Sequence, residues 1–428
     1  MNPPAPSFRH KALDLLRRGP FQRYIIGSAI SDTGTWMQVM AQGWVMSMLT
    51  DKALHLGLVH FAAGLPMLAL TMVGGSAADK YDKRMILMAT QVVQIVLACT
   101  VGFLLLTNHI VIWHIFAVAV LLGISNSFEM PALSALVPEL VKKEQIADAI
   151  AMDRAVFHGS RLVGPAAGGV LISAYGAASA FFLNAFSFVA LIISLWSLPA
   201  RVKGTAEEEE KRQSGIKEGF RFVAKDKASL AMVGLIATST VFIFPVISVM
   251  MPLYVKNVLG LGPDRLGYLM GASGVGSVVG AIGLLSVPRG NRVPILMGCV
   301  ALIAICIFGL SRAPSFGIAL FLCAFNSIGL SANFGLANTI VQERAPDYLR
   351  GRVSAVFGLS FFGLMPLSGL VITTASDLIG MPTAMLVGSV VYGIVGLTLL
   401  ARVRKQCTSD IATIPAEPAV ATPAVGAP

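Results

Sequence analysis

Charge is what this sequence has least of. Asp, Glu, Lys and Arg make up 13% of its 428 residues, about half the ~25% of an ordinary soluble domain. A water-soluble fold of this length needs a charged surface that the chain cannot supply, which excludes an ordinary cytosolic enzyme. The 55% hydrophobic content and mean hydropathy of +0.76 exclude intrinsic disorder. Cysteine is also scarce. Cys99, Cys299, Cys306, Cys323 and Cys407 form no CxxC pair, so neither a disulfide framework nor a metal site is expected. A phosphate-binding G-x-x-x-x-G-K-[ST] loop, an HExxH pair and a nucleophile elbow are all missing. ATP is therefore not the expected energy source, no cofactor is expected, and no acid, base and nucleophile set converges. The N-terminal region lacks a short apolar core with a small-residue cleavage site, so its first apolar segment is expected to stay in the membrane. The lack of an N-x-[ST] sequon favours a bacterial origin.

What the chain has is long apolar runs. They lack the ~10-residue alternation of an outer-membrane barrel. A membrane helix needs ~20 mostly apolar residues. Uncharged stretches at 53–78, 228–255, 266–288, 293–311, 313–342, 353–376 and 378–401 each hold one helix. Residues 85–128 hold two, broken at Thr107-Asn108-His109, and 162–200 break near Tyr175-Gly176. Two helices carry charge: 22–49 with Asp32, and 148–174 with Asp153, Arg154 and Arg161. The fold class expected is an all-α membrane protein with twelve transmembrane helices in two pseudo-symmetric six-helix bundles.

The net charge of +10 fits loop placement better than a nucleic-acid partner, and none is expected. With the N-terminus inside, 26 of the 32 basic residues fall in cytoplasmic loops. The opposite loops hold four: Lys52, Lys256, Arg265 and Arg312. That asymmetry predicts cytoplasmic termini and a multi-pass protein of the bacterial inner membrane. Expected divisions are a cytoplasmic segment 1–21, a bundle 22–199, a cytoplasmic linker 200–228, a bundle 229–402 and a disordered tail 403–428. Within the linker, Glu207–Glu210 with Lys211/Arg212 reads as a solvated helix face. Ile216, Phe220 and Val223 read as an amphipathic segment on the membrane surface. Val137-Pro138-Glu139-Leu140-Val141 is repeated, offset by 208 residues, as Ala345-Pro346-Asp347-Tyr348-Leu349. Such an internal repeat suits a transporter with two parallel halves.

Gly75-Ser-Ala-Ala-Asp79-Lys80-Tyr-Asp-Lys83-Arg84 follows the second segment and resembles the G-x-x-x-D-R-x-x-R-R loop of the major facilitator superfamily. The resemblance implies that Gly75 permits close helix approach and that Asp79 meets the positive amino end of the eleventh helix, near Arg352. Lys80 and Lys83 stand where the family has arginine, which weakens the latch. In the fifth segment Ser160, Gly164 and Gly168 recur every fourth residue, within Gly164-Pro165-Ala-Ala-Gly168-Gly169. This resembles the helix-five motif of drug:proton antiporters and favours export. Small residues at this spacing let helices touch, and Gly267/Gly271 with Gly276/Gly280 of the eighth segment are the expected partner surface. Packing alone is an equal alternative. Gly34-Thr35-Trp36-Met37-Gln38, Glu129-Met130-Pro131-Ala132 and Arg350-Gly351-Arg352-Val353 add a resemblance to the enterobactin-exporter-like branch over roughly residues 20–400.

Asp32 lies ~15 Å and Arg161 ~20 Å along their segments, at similar depth. Buried charges are costly and are usually paired or functional, so the two are expected to face each other and to couple proton entry to rearrangement. A fixed structural ion pair is the open alternative. Glu129 is a gate or proton-exit candidate, with a solvated helix-end carboxylate as the plainer reading. Asp377 has capping or solvation as its reading, and His60, His114 and His158 have packing. Substrate-cavity candidates are Trp36, which could stack on an aromatic or cationic molecule, Gln38, Asn326 and Asn333.

Together these features predict a secondary transporter exporting a small amphipathic molecule, drug or siderophore-like, by proton antiport. Its expected partners are that molecule, protons and the lipid bilayer, and it is expected to act as a monomer. The alternatives are a facilitator or importer on the same scaffold, and a membrane scaffold or receptor that transports nothing.

Overall fold

The computed structural model describes residues 15, 17, 19–198, 216–284 and 287–412. The segment 1–14, the acidic run Glu207–Glu210 and the tail 413–428 lie outside the described residues. Among the described residues there are helices and turns but no strand.

Six long helices precede the linker: α1 Gly19–Leu49, α2 Ala53–Lys80, α3 Lys83–Leu106, α4 Ile112–Glu139, α5 Ile146–Tyr175 and α6 Ala177–Trp196. A short linker helix spans Ile216–Lys225. Six more follow. α7 starts as Lys227–Phe242 and continues in shorter turns to a π-helical turn at Tyr254–Val258. Then come α8 Pro263–Gly283, α9 Arg292–Leu310 and α10 Phe316–Arg344. α11 runs from Arg350 to Ile379 through a π-helical turn at Leu359–Gly363, and α12 spans Met381–Ala412. α12 thus extends ten residues past the bundle boundary expected at 402.

Ten of these helices are long and apolar enough to cross a membrane. The remaining two, α1 and α5, are the helices that carry Asp32 and Arg161. At 31 and 30 residues they exceed the ~20 needed to span. The breaks follow local chemistry. Asn108 takes a positive φ of 56° and Gly176 one of 81°, a region that short polar residues and glycine enter most easily. Asp82 accepts the backbone N–H of Arg84 and starts α3; Asp226 accepts that of Ser229 and starts α7.

Each half packs as a bundle. In the first, α1 lies on α5 and α6, α2 on α4, and α3 on α4 and α6. In the second, α10 lies on α8 and α9, and α12 on α7 and α9. Two seams join the halves most extensively: α2 with α11, and α5 with α8. Phe186, Trp113, Phe321 and Ile305 point outward with 65–72% of their surface free. Such a lipid-facing belt suits a protein whose solvent is hydrocarbon.

The linker helix differs in part from its expected role on the membrane surface. Phe220 is exposed, but Val223 is buried. The Gly219 backbone comes so close to Arg352 that a Cβ would lie 2.8 Å from its carbonyl oxygen. Glu218 forms an ion pair with Arg352. The helix is therefore tied to the start of α11.

Candidate functional site

Tyr24, Ser28, Asp32 and Trp36 are spaced four apart and form one stripe along α1. Tyr24 Oη donates to Asp153 Oδ1 of α5 at 2.8 Å, and Ser28 Oγ donates to Asp32 Oδ2 at 3.1 Å. Asp153, Glu129 and Arg154 lie within electrostatic reach of Asp32. No ion pair joins Arg161 to Asp32. The Arg161 guanidinium instead covers the Trp36 ring, 5.1 Å from the centroid. Thr33 Oγ1 donates to Ser160 Oγ at 3.1 Å, which fixes the register of α5 on α1. Arg161, next to Ser160, directs its guanidinium to Trp36 rather than to the carboxylate. The expected Asp32–Arg161 pair is thereby corrected.

Trp36 already has ring partners. One ring face carries Arg161, and Phe157 meets it edge-on at 5.6 Å and 66°. Its Nε1 is buried with no hydrogen-bond acceptor. A cationic substrate would have to compete with a cation already in place.

Glu129 is no solvated helix-end group. Gln91 Nε2 of α3 donates to its Oε1 at 2.9 Å, and Gln94 Nε2 donates to its Oε2. Gln91 and Gln94 lie three residues apart, so both amides reach the same side of α4. The sequence reading missed these glutamines, and also Tyr24 and Ser28. The four-residue stripe on α1 was the available signal for the last two.

Gln38 and Asn333 each have a partner on a neighbouring helix, and Asn326 has none among the described residues. Gln38 Oε1 accepts from Asn184 Nδ2 at 2.8 Å and joins α1 to α6. Asn333 Nδ2 donates to Tyr392 Oη at 2.8 Å and joins α10 to α12. Both Asn326 amide atoms are buried without a partner. Gln38 and Asn333 act within bundles, whose interior lacks water and recruits polar side chains to bridge helices.

The small-residue motif splits between two neighbours. A Cβ on Gly164 would lie 2.6 Å from the Thr33 carbonyl oxygen, and one on Gly168 2.7 Å from Met37 Cγ, so this stripe packs on α1. Ser160 joins it through Thr33. Gly169 faces α8: its Cβ would lie 2.6 Å from the Pro263 carbonyl oxygen and 3.0 Å from Gly267 Cα. Gly267 in turn approaches the Pro165 carbonyl oxygen. Gly271 also faces α5, near Leu162 and Ala166. Gly276 and Gly280 instead meet Ala324 and Ile328 of α10, correcting the expectation that all four glycines of α8 face α5. A helix with glycine on two sides can touch two partners.

The α2–α3 loop also stays within its half. Gly75 faces open space, while the close approach is made by Gly74 against Ser127 of α4. Lys83 pairs with Glu139 at 3.0 Å, and Arg84 with Asp82 at 2.7 Å. Asp79 and Lys80 are exposed, and no ion pair or hydrogen bond links Asp79 to α11 among the described residues.

Polar contacts between the halves gather at the opposite end. Asp377 of α11 caps the amino end of α2, with Oδ1 2.7 Å from the Ala53 nitrogen and Oδ2 2.8 Å from that of Leu54. Lys256 Nζ reaches the Ser47 carbonyl at 2.6 Å and Asp51 at 2.9 Å, and Asn257 donates to the same carboxylate. These donors hold the Asp51 carboxyl, which lies in the α1–α2 loop, below the usual range. The bundle is fastened away from the linker.

The sequence matches the family described as transmembrane secretion effector over residues 11–425. The chain belongs to that family. It is 26% identical over 412 residues to the multidrug efflux pump Tap of Mycolicibacterium fortuitum, covering 93% of this chain and 99% of that one. It is 25% identical over 356 residues to the enterobactin exporter EntS of Escherichia coli O1:K1 / APEC, covering 81% and 82%. Its fold is similar to the crystal structure of the nucleoside transporter NupG. That superposition has a TM-score of 0.70 at 9% identity and covers 89% of this chain and 98% of that one. The chain is thus a multi-pass membrane protein with the major facilitator fold.

Proposed function

We propose that the protein is a secondary active exporter that moves a small amphipathic molecule outward in exchange for protons, by alternating access. Its relatives Tap and EntS support export. The observation that carries the coupling is Asp32: a mid-helix carboxylate with one hydroxyl partner and no ion pair among the described residues, with two acids, Asp153 and Glu129, and one base, Arg154, within electrostatic reach. In a low-dielectric bundle such a charge is costly, and a bound proton removes it.

The linker side faces the cytoplasm in this reading, following the 26 basic loop residues, and the membrane is the bacterial inner membrane. Asp377, Lys256 and Asp51 then close the outer end, so the carrier receives cargo from inside. Protons entering from outside would occupy Asp32 and reset the empty carrier. The single chain contains both six-helix bundles and is the working unit in this reading.

The test is efflux in everted vesicles with and without an imposed pH gradient. Gradient-driven transport is expected with the native chain and lost in Asp32→Asn. Undiminished driven efflux by Asp32→Asn would remove Asp32 from the coupling. Transport in the reverse sense would favour the importer.

A further inference from the structure

Arg161 is a half-buried cation with no ion-pair partner among the described residues. It makes no ion pair and no hydrogen bond among the described residues, and its one described contact is the Trp36 face. The three acids in this region have other partners. Asp32 accepts from Ser28, Glu129 from Gln91 and Gln94, and Asp153 from Tyr24. Beside Arg161, the buried Trp36 Nε1–H also lacks an acceptor. Residues 154, 158 and 161 share one face of α5, and His158 lies in the field of both Arg154 and Arg161. The result is a cluster of donors and positive charge, lined by the rings of Trp36 and Phe157, with no carboxylate paired to Arg161 among the described residues.

We infer that Arg161 and Trp36 form the recognition site for an anionic group on the transported molecule: a carboxylate, or a comparable charged oxygen pair, borne on an aromatic body. The inference rests on the transporter reading and gives its cargo a chemical class. A guanidinium presents two parallel N–H donors that match a carboxylate edge. Leaving those donors and the indole N–H unsatisfied away from water is unfavourable, and an entering anion satisfies them together. Trp36 and Phe157, with their ring planes 66° apart, offer edges and faces to an aryl group. The same arrangement disfavours a cation, which would meet Arg154 and Arg161.

The experiment is calorimetric titration of the full chain in lipid nanodiscs with three probes of one shape: naphthoate, naphthamide and naphthyl-trimethylammonium. Naphthoate is expected to bind roughly tenfold or more tightly than the other two, the size expected for charge-assisted hydrogen bonds. Arg161→Gln is expected to erase that preference, Arg161→Lys to keep part of it, and Trp36→Phe to weaken naphthoate alone. Equal binding of naphthoate and naphthamide by the native chain would overturn the proposal, as would an intact preference in folded Arg161→Gln. Should Arg161→Gln fail to fold, the native comparison and Arg161→Lys decide. Transport in proteoliposomes separates the two readings. Cargo movement without anion preference removes this site and leaves the transporter. Arg161-dependent naphthoate binding without movement of any cargo removes the transporter and leaves the site.

Discussion

A single mid-helix residue can be central to coupling or merely a brace, and its contacts tell which. Gln38 and Asn333 each have an amide or hydroxyl partner on a neighbouring helix, so they act as braces. Among the described residues Asp32 has only Ser28 as a hydrogen-bond partner. Removing that hydroxyl in Ser28→Ala is expected to shift the pH dependence of efflux while leaving transport possible, since the proton-carrying carboxylate remains. A pH profile identical to the native one would show that Ser28 does not tune the site. Glu129 predicts a different outcome. Replacing Gln91 with Leu removes one of the two amides that hold its carboxylate, and thermal stability is expected to fall by ~1–3 kcal/mol, the cost of stranding a buried polar group. A melting temperature unchanged from native would contradict the clamp.

Between elements, the glycines of α5 set distances that no side chain could. Gly164 stands against the backbone of α1, where a Cβ would meet the Thr33 carbonyl oxygen at 2.6 Å. Backbone cannot move aside as a side-chain tip can. Gly164→Ala is therefore expected to destabilise the first bundle by ~1–3 kcal/mol, read as a lower melting temperature in detergent. Asp226 makes a second element-scale case. It caps α7 and takes Nε and Nη2 of Arg344 at 2.8 Å each. Burial works to raise its pKa, but Arg344 and Ser229 outweigh it and hold the carboxyl below its ordinary value. A depressed folded-state value stabilises the fold at pH above the unfolded pKa of ~3.9. That contribution is lost as pH falls through the folded value. Asp226→Asn should cost about 1 kcal/mol near neutral pH, after discounting for solvent screening, and the difference from native should vanish in acid.

At the scale of the whole molecule, the two halves are fastened at one end. Asp377 holds the amino end of α2, while Asp79, at the other end of α2, makes no hydrogen bond or ion pair with α11 among the described residues. Since α2 and α11 run antiparallel along one seam, the carboxylates occupy related places at opposite ends. Alternating access would release one and engage the other. Asp377→Ala removes a cap of ~1 kcal/mol, enough to shift a two-state balance by about fivefold. Spin labels at the exposed positions Lys52 and Leu378, in a background without native cysteine, are expected to show a larger population of long distances in that variant. An unaltered distance distribution would mean the cap does not bias the states.

The sequence by itself determined the architecture. Apolar runs of spanning length can satisfy their backbone in lipid only as helices, and Asn108 and Gly176 ended helices where local conformation allowed little else. It also singled out Asp32 and Arg161, because charge inside such a run stands out without any structure. Which partner each one has was decided only in three dimensions. Asp32 and Arg161 lie at similar depth in sequence, yet the Arg161 side chain covers Trp36 and Asp32 is met by Ser28. Gln91 and Gln94 looked like ordinary polar residues until α3 and α4 met around Glu129. Depth along a helix is a property of one segment, fixed by counting. Rotation and register between helices come from side-chain packing across the interface, and a single segment does not contain them.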